Sequence, residues 1–164
     1  MTARRATAAD AEAIARIYNE GIDDRIATFE TRHRSEADVR AWLAGQHIVI
    51  AIENGSRVIG FAVTHPYSSR DCYAGIAEFS VYVERASRGR GAGRLAVAEM
   101  VRTCEAEGYW KLLGRIFAEN TASRTLFESL GFREVGIHER HAQLDGCWRD
   151  VVVVERLLGD AARD

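Results

Sequence analysis

Apolar side chains recur at helical spacing in two places in the first quarter of the chain. The first segment carries an apolar face formed by Ala11, Ile14, Ala15 and Tyr18. Thr7 and Asp10 come just before or at the start of this face, and their side chains can accept hydrogen bonds from the free N–H groups of a first helical turn. This pattern predicts a helix over residues 8–21. Residues 35–38 repeat the capping pattern and predict a short second helix, with an irregular loop over residues 26–34.

Two β-branched, apolar runs follow, over residues 48–52 and 58–64. The Asn54-Gly55 pair between them indicates a β-hairpin, because both residue types tolerate the positive φ of a tight hairpin turn. Similar runs predict strands over residues 77–83 and 112–117, near Val135, and over residues 151–155. Helices are predicted from a glycine-rich loop through Leu95 to a stop at Gly108, and from a cap at Asn120 to Gly131.

The order of these elements predicts an α+β fold, with a mixed, mostly antiparallel central sheet flanked by helices and one central strand–helix–strand unit. No Pro/Gly/Ser-rich linker and no internal repeat divides the 164 residues. The whole chain, residues 1–164, is therefore predicted to form a single domain.

Composition and charge exclude several classes of protein. With 47% hydrophobic and 28% charged residues the chain is of globular type, and no apolar run approaches the roughly 20 residues of a membrane span. The 22 basic and 24 acidic side chains give a net charge of -2, so nucleic acid and anionic membranes are not expected partners. The polar N-terminus predicts a cytoplasmic location, and the widely spaced Cys72, Cys104 and Cys147 predict free thiols and no metal site.

A strand that leads into a glycine-rich loop and a helix carries the clearest candidate chemistry. Gly89, Gly91 and Gly93 let successive backbone N–H groups point at one place, where the helix dipole and three neighbouring arginines also favour an anion. This predicts a phosphate or pyrophosphate site, with a plain strand-to-helix turn as the competing interpretation. Arg94 and Leu95 follow where a Walker loop needs Lys-Ser/Thr, and the loop comes too late in the chain for a dinucleotide fold.

The segment Arg88-x-x-Gly91-x-Gly93 resembles the pyrophosphate loop of the GNAT superfamily of acyl-CoA N-acyltransferases. The segment 120–132, led by an asparagine and ending in Gly-Phe, resembles the second cofactor segment of that superfamily. The resemblance implies acetyl-CoA as co-substrate, with the pantetheine beside the strand backbone. The residues it implies for acetyl-CoA are Val81, Tyr82, Val83, Arg88, Gly89, Arg90, Gly91, Ala92, Gly93, Arg94, Asn120 and Ser123.

Within the superfamily, several local segments resemble the phosphinothricin N-acetyltransferase group. They are, in chain order, residues 17–19, 27–30, 66–67, 78–83 and 146–151. Three further segments are similar to the arsinothricin-resistance branch of that group, namely residues 109–112, 131–136 and 144–152.

Glu78 is the candidate general base. An attacking amine arrives protonated at neutral pH and must lose a proton before it can attack a thioester, and Glu78 lies on the strand that enters the glycine-rich loop. The resemblance places the catalytic glutamate of the family at the same position. Arg70 is the candidate clamp for an anionic substrate group, and Thr28 and Phe29 are candidates for the opposite wall of the substrate site. The competing interpretations are a solvent-facing glutamate, an exposed arginine and a core phenylalanine.

Two positions depart from the family pattern. Phe127 stands where many GNAT enzymes have a tyrosine beside the departing thiolate, so a side-chain acid is in doubt. Asp145 stands where the phosphinothricin enzymes have a histidine, which puts a second base from that loop in doubt. His138 and His141 lie nearby and can replace it, or have no role.

The sequence therefore predicts a cytoplasmic acetyltransferase for the α-amine of a small glutamate-mimicking amino acid, of the arsinothricin or phosphinothricin type. Direct transfer in a ternary complex is expected, because no cysteine falls within either cofactor motif. A homodimer is compatible with the resemblance. The alternatives are acetylation of another small amine or a protein N-terminus, and a non-catalytic acyl-CoA-binding regulatory module, against which Glu78 argues.

Overall fold

Seven strands and four α-helices form the fold in a computed structural model that describes residues 1–163. The strands are β1 Thr2–Arg5, β2 Val49–Asn54, β3 Arg57–Pro66, β4 Ile76–Val83, β5 Lys111–Phe117, β6 Arg133–Leu144 and β7 Cys147–Leu157. The helices are α1 Ala11–Asp23, α2 Glu36–Ala44, α3 Ala92–Ala106 and α4 Thr121–Glu128. No helix within this range has both the length and the apolar character needed to cross a membrane.

The strands form one sheet in the order β1-β2-β3-β4-β5-β7-β6. Among the described strands, β4 and β5 are the only parallel neighbours, and α3 connects them. The remaining neighbours are antiparallel. The predicted α+β fold with one central strand–helix–strand unit is thus confirmed.

Helices cover both faces of β2 and β3, which explains why these strands are continuously apolar. Ile50, Ile52 and Ala62 belong to the core beneath α3, whereas Val49, Ala51, Phe61 and Val63 belong to the core beneath α1 and α2. A strand that is buried on both faces has no position at which a polar side chain reaches water.

The predicted starts of α2 and α4 agree with the capping contacts, whereas residues 8–10, predicted as the first turn of α1, form a short 3-10 turn before it. The Asp38 N–H donates to Ser35 Oγ at 3.1 Å, while the Ser35 N–H donates to Asp38 Oδ2 at 2.8 Å. Asn120 Oδ1 accepts a hydrogen bond from the Ser123 N–H at 3.1 Å and caps α4. These bonds satisfy backbone donors that the first helical turn leaves free.

Three local features differ from the sequence prediction. Strand β1 was not expected in the polar N-terminus; pairing with β2 holds it, and Arg4 binds both carboxylate oxygens of Asp10. The first hairpin turns at Gly55-Ser56, with Gly55 at φ +65° and Asn54 still in β2. Strands β6 and β7 are much longer than predicted, because Asp145 and Gly146, both at positive φ, form a tight turn between them.

Candidate active site

The two parallel strands at the centre of the sheet separate after a short paired stretch. β4 and β5 pair from Ile76 with Lys111 to Glu78 with Leu113, and beyond that point the two strands no longer pair with each other. Gly114 lies where they diverge, and a Cβ there would stand 3.2 Å from the Phe127 ring. The sheet therefore contains an internal gap that is open on one side to α3 and α4.

Two cavities meet at this gap. The glycine-loop cavity, of about 430 Å³, lies between the end of β4, the start of α3 and the start of α4. The Glu78 cavity, of about 470 Å³, lies between the middle of β4, β5 and the loop after α1. A small space of about 40 Å³ between β4 and β5 shares Ser80 and Phe117 with the Glu78 cavity and Asn120 and Ser123 with the glycine-loop cavity. The two cavities thus form one path through the gap.

The glycine-loop cavity brings together the residues that the sequence resemblance assigned to acetyl-CoA, with the exception of Arg90. Arg90 is exposed on the loop, outside the lining of the cavity. The lining includes Val81, Tyr82, Val83, Arg88, Gly89, Gly91, Ala92, Gly93, Arg94, Asn120 and Ser123. Two segments far apart in sequence therefore line one cavity, although their binding roles remain predictions.

The glycine-rich loop has the backbone geometry of an anion site. Gly89 and Gly91 have φ values of +72° and +88°, and Gly91 is the N-cap of α3. The N–H groups of the first helical turn have no partner within the helix, and the helix dipole favours negative charge at this end. Gly93 allows α3 and α4 to pack closely, because a Cβ at this position would stand only 3.3 Å from Leu126 of α4.

Protein groups hold the arginines beside the loop. Arg88 pairs through Nη2 with Asp24 Oδ2 at 2.6 Å and donates from Nε to the Val83 carbonyl at 3.0 Å. Burial would raise the pKa of Asp24, but hydrogen bonds from Arg85 and Arg88 outweigh it and lower the pKa. Arg94 donates to Ser129 Oγ at 2.7 Å. Arg88 and Arg94 are thereby held at the rim of the cavity.

Glu78 faces the second cavity and is paired there with an arginine. Arg115 Nη2 donates to Glu78 Oε1 at 2.8 Å, and the Glu78 side chain is 24% exposed. Thr28 and Phe29, the candidates for a substrate wall, line the same cavity. The Phe29 ring packs edge-on against the Phe117 ring, with 4.7 Å between the ring centroids.

Two histidines, His65 and His141, also line the Glu78 cavity. His65 on β3 is the cross-strand partner of Glu78, and both side chains line the cavity. The pKa of His65 is lowered by partial desolvation and by the neighbouring His47 ring, whose centroid lies 5.9 Å away. His141 also lines the cavity, and its ring stacks on that of His138 with 4.6 Å between the ring centroids.

Three other residues singled out in the sequence lie at the edge of the site or away from it. Arg70 is exposed in the loop after β3, with its guanidinium carbon 5.7 Å from the centre of the Tyr73 ring, and does not line the Glu78 cavity. Asp145 lies in the β6–β7 turn and pairs with Arg25 at 3.0 Å. Phe127 is buried against Phe79 and lines the small space in the gap.

Three residues of the site were missed at the level of sequence. They are Asp24, which binds Arg88, and His65 and Arg115, which share the Glu78 cavity. Arg115 carried a usable signal, because it interrupts the otherwise apolar run of residues 112–117. Within residues 1–163, no group of three or more His, Cys, Asp or Glu is placed to hold a metal ion.

The chain belongs to the GNAT acetyltransferase family, since the model described as "Acetyltransferase (GNAT) domain" matches residues 1–133. It is an acetyl-CoA-dependent N-acetyltransferase. It is 30% identical to the L-methionine sulfoximine/L-methionine sulfone acetyltransferase of Salmonella typhimurium over 99% of this chain and 97% of that protein. It is 29% identical to the phosphinothricin N-acetyltransferase of Streptomyces coelicolor over 91% of each chain.

Solved structures agree with this family placement. The phosphinothricin acetyltransferase of Sinorhizobium meliloti, solved in complex with acetyl-CoA, superposes with a TM-score of 0.91 at 28% identity, over 99% of this chain and 91% of that one. The ribosomal-protein-alanine N-acetyltransferase of Brucella melitensis superposes with a TM-score of 0.93 at 29% identity, over 96% of this chain and 100% of that one. The fold and the acetyl-CoA co-substrate predicted from the sequence are confirmed.

Proposed function

We propose that this enzyme acetylates the α-amine of a small glutamate-mimicking amino acid of the phosphinothricin, arsinothricin or methionine sulfoximine type. The main supporting observation is the Glu78–Arg115 pair, which offers a negative and a positive group 2.8 Å apart in one cavity. That cavity opens into the gap from the side opposite the glycine-rich loop. Relatives along nearly the whole chain are named for phosphinothricin and methionine sulfoximine.

In this proposal acetyl-CoA lies along the glycine-loop cavity, with its pyrophosphate on the N–H groups of residues 89–94. The Glu84 N–H donates to Ile59 on β3, so backbone groups alternate along β4 and those of Val81 and Val83 point into the gap. The N–H groups of Val81 and Val83 and the Val81 carbonyl can bind the amides of the pantetheine arm, whereas the Val83 carbonyl already accepts from Arg88 Nε. The acetyl group would then reach the end of the gap where Glu78 lies.

The chemistry proposed for Glu78 is removal of a proton from the substrate ammonium, directly or through water. The freed amine nitrogen attacks the thioester carbonyl carbon, the C–S bond breaks, and CoA leaves as the thiolate. The nitrogen, now bonded to the acetyl carbon, releases its second proton to solvent and becomes the neutral amide. Phe127 has no proton to give to that thiolate, so its protonation is assigned to solvent.

Transfer is proposed to be direct, in a ternary complex. None of the cysteines lines either cavity. Cys104 is buried, and burial raises the pKa of its thiol to about 12, so it stays protonated and is a poor nucleophile. Cys72 and Cys147 are exposed elsewhere on the surface.

Arg70 is retained as the clamp for the distal anionic group of the substrate. Its partner Tyr73 lines a third cavity of about 240 Å³, which shares His65 with the Glu78 cavity, so a substrate side chain can extend past His65 toward this loop. We expect Arg70→Ala to raise KM for an anionic amino acid by about 10-fold with a smaller effect on kcat, because the clamp holds ground and transition states alike. Steady-state kinetics with phosphinothricin tests this, and an unchanged KM would remove Arg70 from the site.

The proposal places the enzyme in the cytoplasm as a homodimer. Three free thiols are typical of a reducing compartment. The outer strand β6 is exposed along most of its length and carries Val135 and Ile137, each about half exposed, on an unpaired sheet edge. An edge of this kind is suited to pairing with a second copy.

The deciding experiment measures CoA release with phosphinothricin, arsinothricin, methionine sulfoximine, simple amines and a peptide beginning with alanine. We expect the amino-acid analogues to be acetylated with the highest kcat/KM. Preference for the peptide would instead favour acetylation of a protein N-terminus, for which the likeness to the ribosomal-protein-alanine enzyme is the supporting observation. Acetyl-CoA binding without turnover of any acceptor would favour a regulatory module.

A further inference from the structure

The Glu78 cavity is lined by the arginine Arg115, and this arginine is already paired with the candidate base Glu78. Arg115 is the only arginine or lysine among the described residues that line the cavity, and its side chain bonds there to Glu78. The other carboxylate of the cavity, Glu30, accepts a hydrogen bond from Arg34 at 2.9 Å. The other titratable side chains among the described residues that line the cavity are His65, His141 and the buried phenol of Tyr82. An anionic group entering this cavity therefore meets Arg115 as its one permanent positive partner.

An α-amino acid carries opposite charges on neighbouring atoms, which matches the Glu78–Arg115 pair. The ammonium can approach Glu78 while the carboxylate takes the place of Glu78 on Arg115. A guanidinium binds a carboxylate through two parallel N–H donors, so the exchange keeps every charge paired. The Arg115 side chain is 51% exposed, and therefore has room to change partner.

We propose that Arg115 is the receptor for the α-carboxylate of the acceptor, and that this carboxylate releases Glu78 from Arg115 to act on the ammonium. This inference rests on the proposed function, in which the acceptor is an amino acid. It deepens that function, because it makes the α-carboxylate a requirement for turnover. An amine without a carboxylate leaves the ion pair intact, and Glu78 is then held by Arg115 when the amine arrives.

The same reasoning separates the two candidate arginines of the site. Arg70 lies outside the Glu78 cavity, over Tyr73, and has no contact with Glu78. Arg115 instead contacts the candidate base directly. We therefore assign the α-carboxylate to Arg115 and leave the distal group of the substrate to Arg70.

The test compares methionine sulfone, its primary amide and 3-(methylsulfonyl)propylamine as acceptors for wild type, Arg115→Gln and Arg115→Lys. We expect wild type to favour the acid over the other two by about 100-fold in kcat/KM. In Arg115→Gln the value for the acid falls by about 100-fold, whereas the values for the amide and the amine do not fall. Arg115→Lys retains part of the preference, because a point charge still attracts the carboxylate.

Control measurements distinguish a wrong role for Arg115 from a wrong proposed function. Arg102→Gln removes another arginine that is paired with a glutamate, on α3 away from both cavities, and should leave all three acceptors unchanged. Calorimetric titration of methionine sulfone into each variant with CoA present reports binding apart from turnover, and thermal melting confirms folding. The role of Arg115 would be overturned if kcat/KM fell equally for the acid and the amide in folded Arg115→Gln. It would also be overturned if the wild type acetylated all three acceptors with similar kcat/KM. A wild type that binds acetyl-CoA and acetylates none of the amino acids of the panel would overturn the proposed function as well.

Discussion

We expect Glu78→Gln to lower kcat by about 100-fold or more at neutral pH, with acetyl-CoA affinity nearly unchanged. This corresponds to about 2.7 kcal/mol of lost transition-state stabilisation. Glutamine keeps the size of the side chain and can still accept a hydrogen bond from Arg115, but it cannot take a proton from an ammonium group. Steady-state kinetics on an accepted amino acid, with calorimetry of CoA binding, measures both parts of the prediction.

The pH dependence of this variant identifies the role of Glu78. At alkaline pH a larger share of the substrate amine is already deprotonated, so the defect of Glu78→Gln should shrink as pH rises. A residue needed only for packing would give a defect that does not depend on pH. Glu99→Gln is the matched control, because Glu99 is also a partly buried glutamate paired with an arginine but lies on α3 outside the site. Wild-type turnover by Glu78→Gln on every accepted substrate would show that Glu78 is not the base.

The second large effect is expected for Gly91→Val, which should weaken CoA binding by at least about 10-fold, or about 1.4 kcal/mol. Gly91 has φ +88°, and no atom lies within 4 Å of the position that a Cβ would occupy. The valine therefore meets no protein atom, but it strains the backbone and stands where an anion would approach the loop. Calorimetric titration of CoA into the folded variant gives the affinity directly.

Gly108→Val is the control that distinguishes backbone strain from loss of the anion site in Gly91→Val. Gly108 follows the other end of α3 with φ +87°, and a Cβ there would also meet nothing within 4 Å. The two variants should therefore lose similar stability, whereas only Gly91→Val should lose affinity for CoA. If folded Gly91→Val binds CoA as the wild type does, the pyrophosphate does not lie on this loop.

The parts of the fold that the sequence predicted well depend on local chemistry. The Ser35 and Asn120 caps, the glycine-rich loop and the runs of β-branched residues each act over a few neighbouring positions, and each appears in the structure as expected. The lining of the glycine-loop cavity was predictable for a related reason, because two compact motifs supply most of it.

The parts that could not be predicted depend on contacts between distant segments. Glu78 faces His65 only because of the register between β3 and β4, and it meets Arg115 only because β5 is its parallel neighbour. The central strand–helix–strand unit was predictable, but nothing in the local sequence fixes the registers that bring these side chains together. Strand β1 is similar, since its polar residues form a strand through pairing with β2 and through the Arg4–Asp10 contact. The extent of β6 and β7 was in principle readable from Asp145-Gly146, a strong hairpin pair.

The internal gap between β4 and β5 has a consequence for self-association. Backbone groups of Val81 and Val83 face the gap without a neighbouring strand, which at the rim of a sheet would be a template for aggregation. Here β5 and α4 close the opposite wall, so the strand of another protein molecule cannot enter, whereas a slender unbranched ligand can. The protein can thus keep unpaired backbone hydrogen-bonding groups in the middle of its sheet without exposing an aggregation-prone strand edge to other protein molecules.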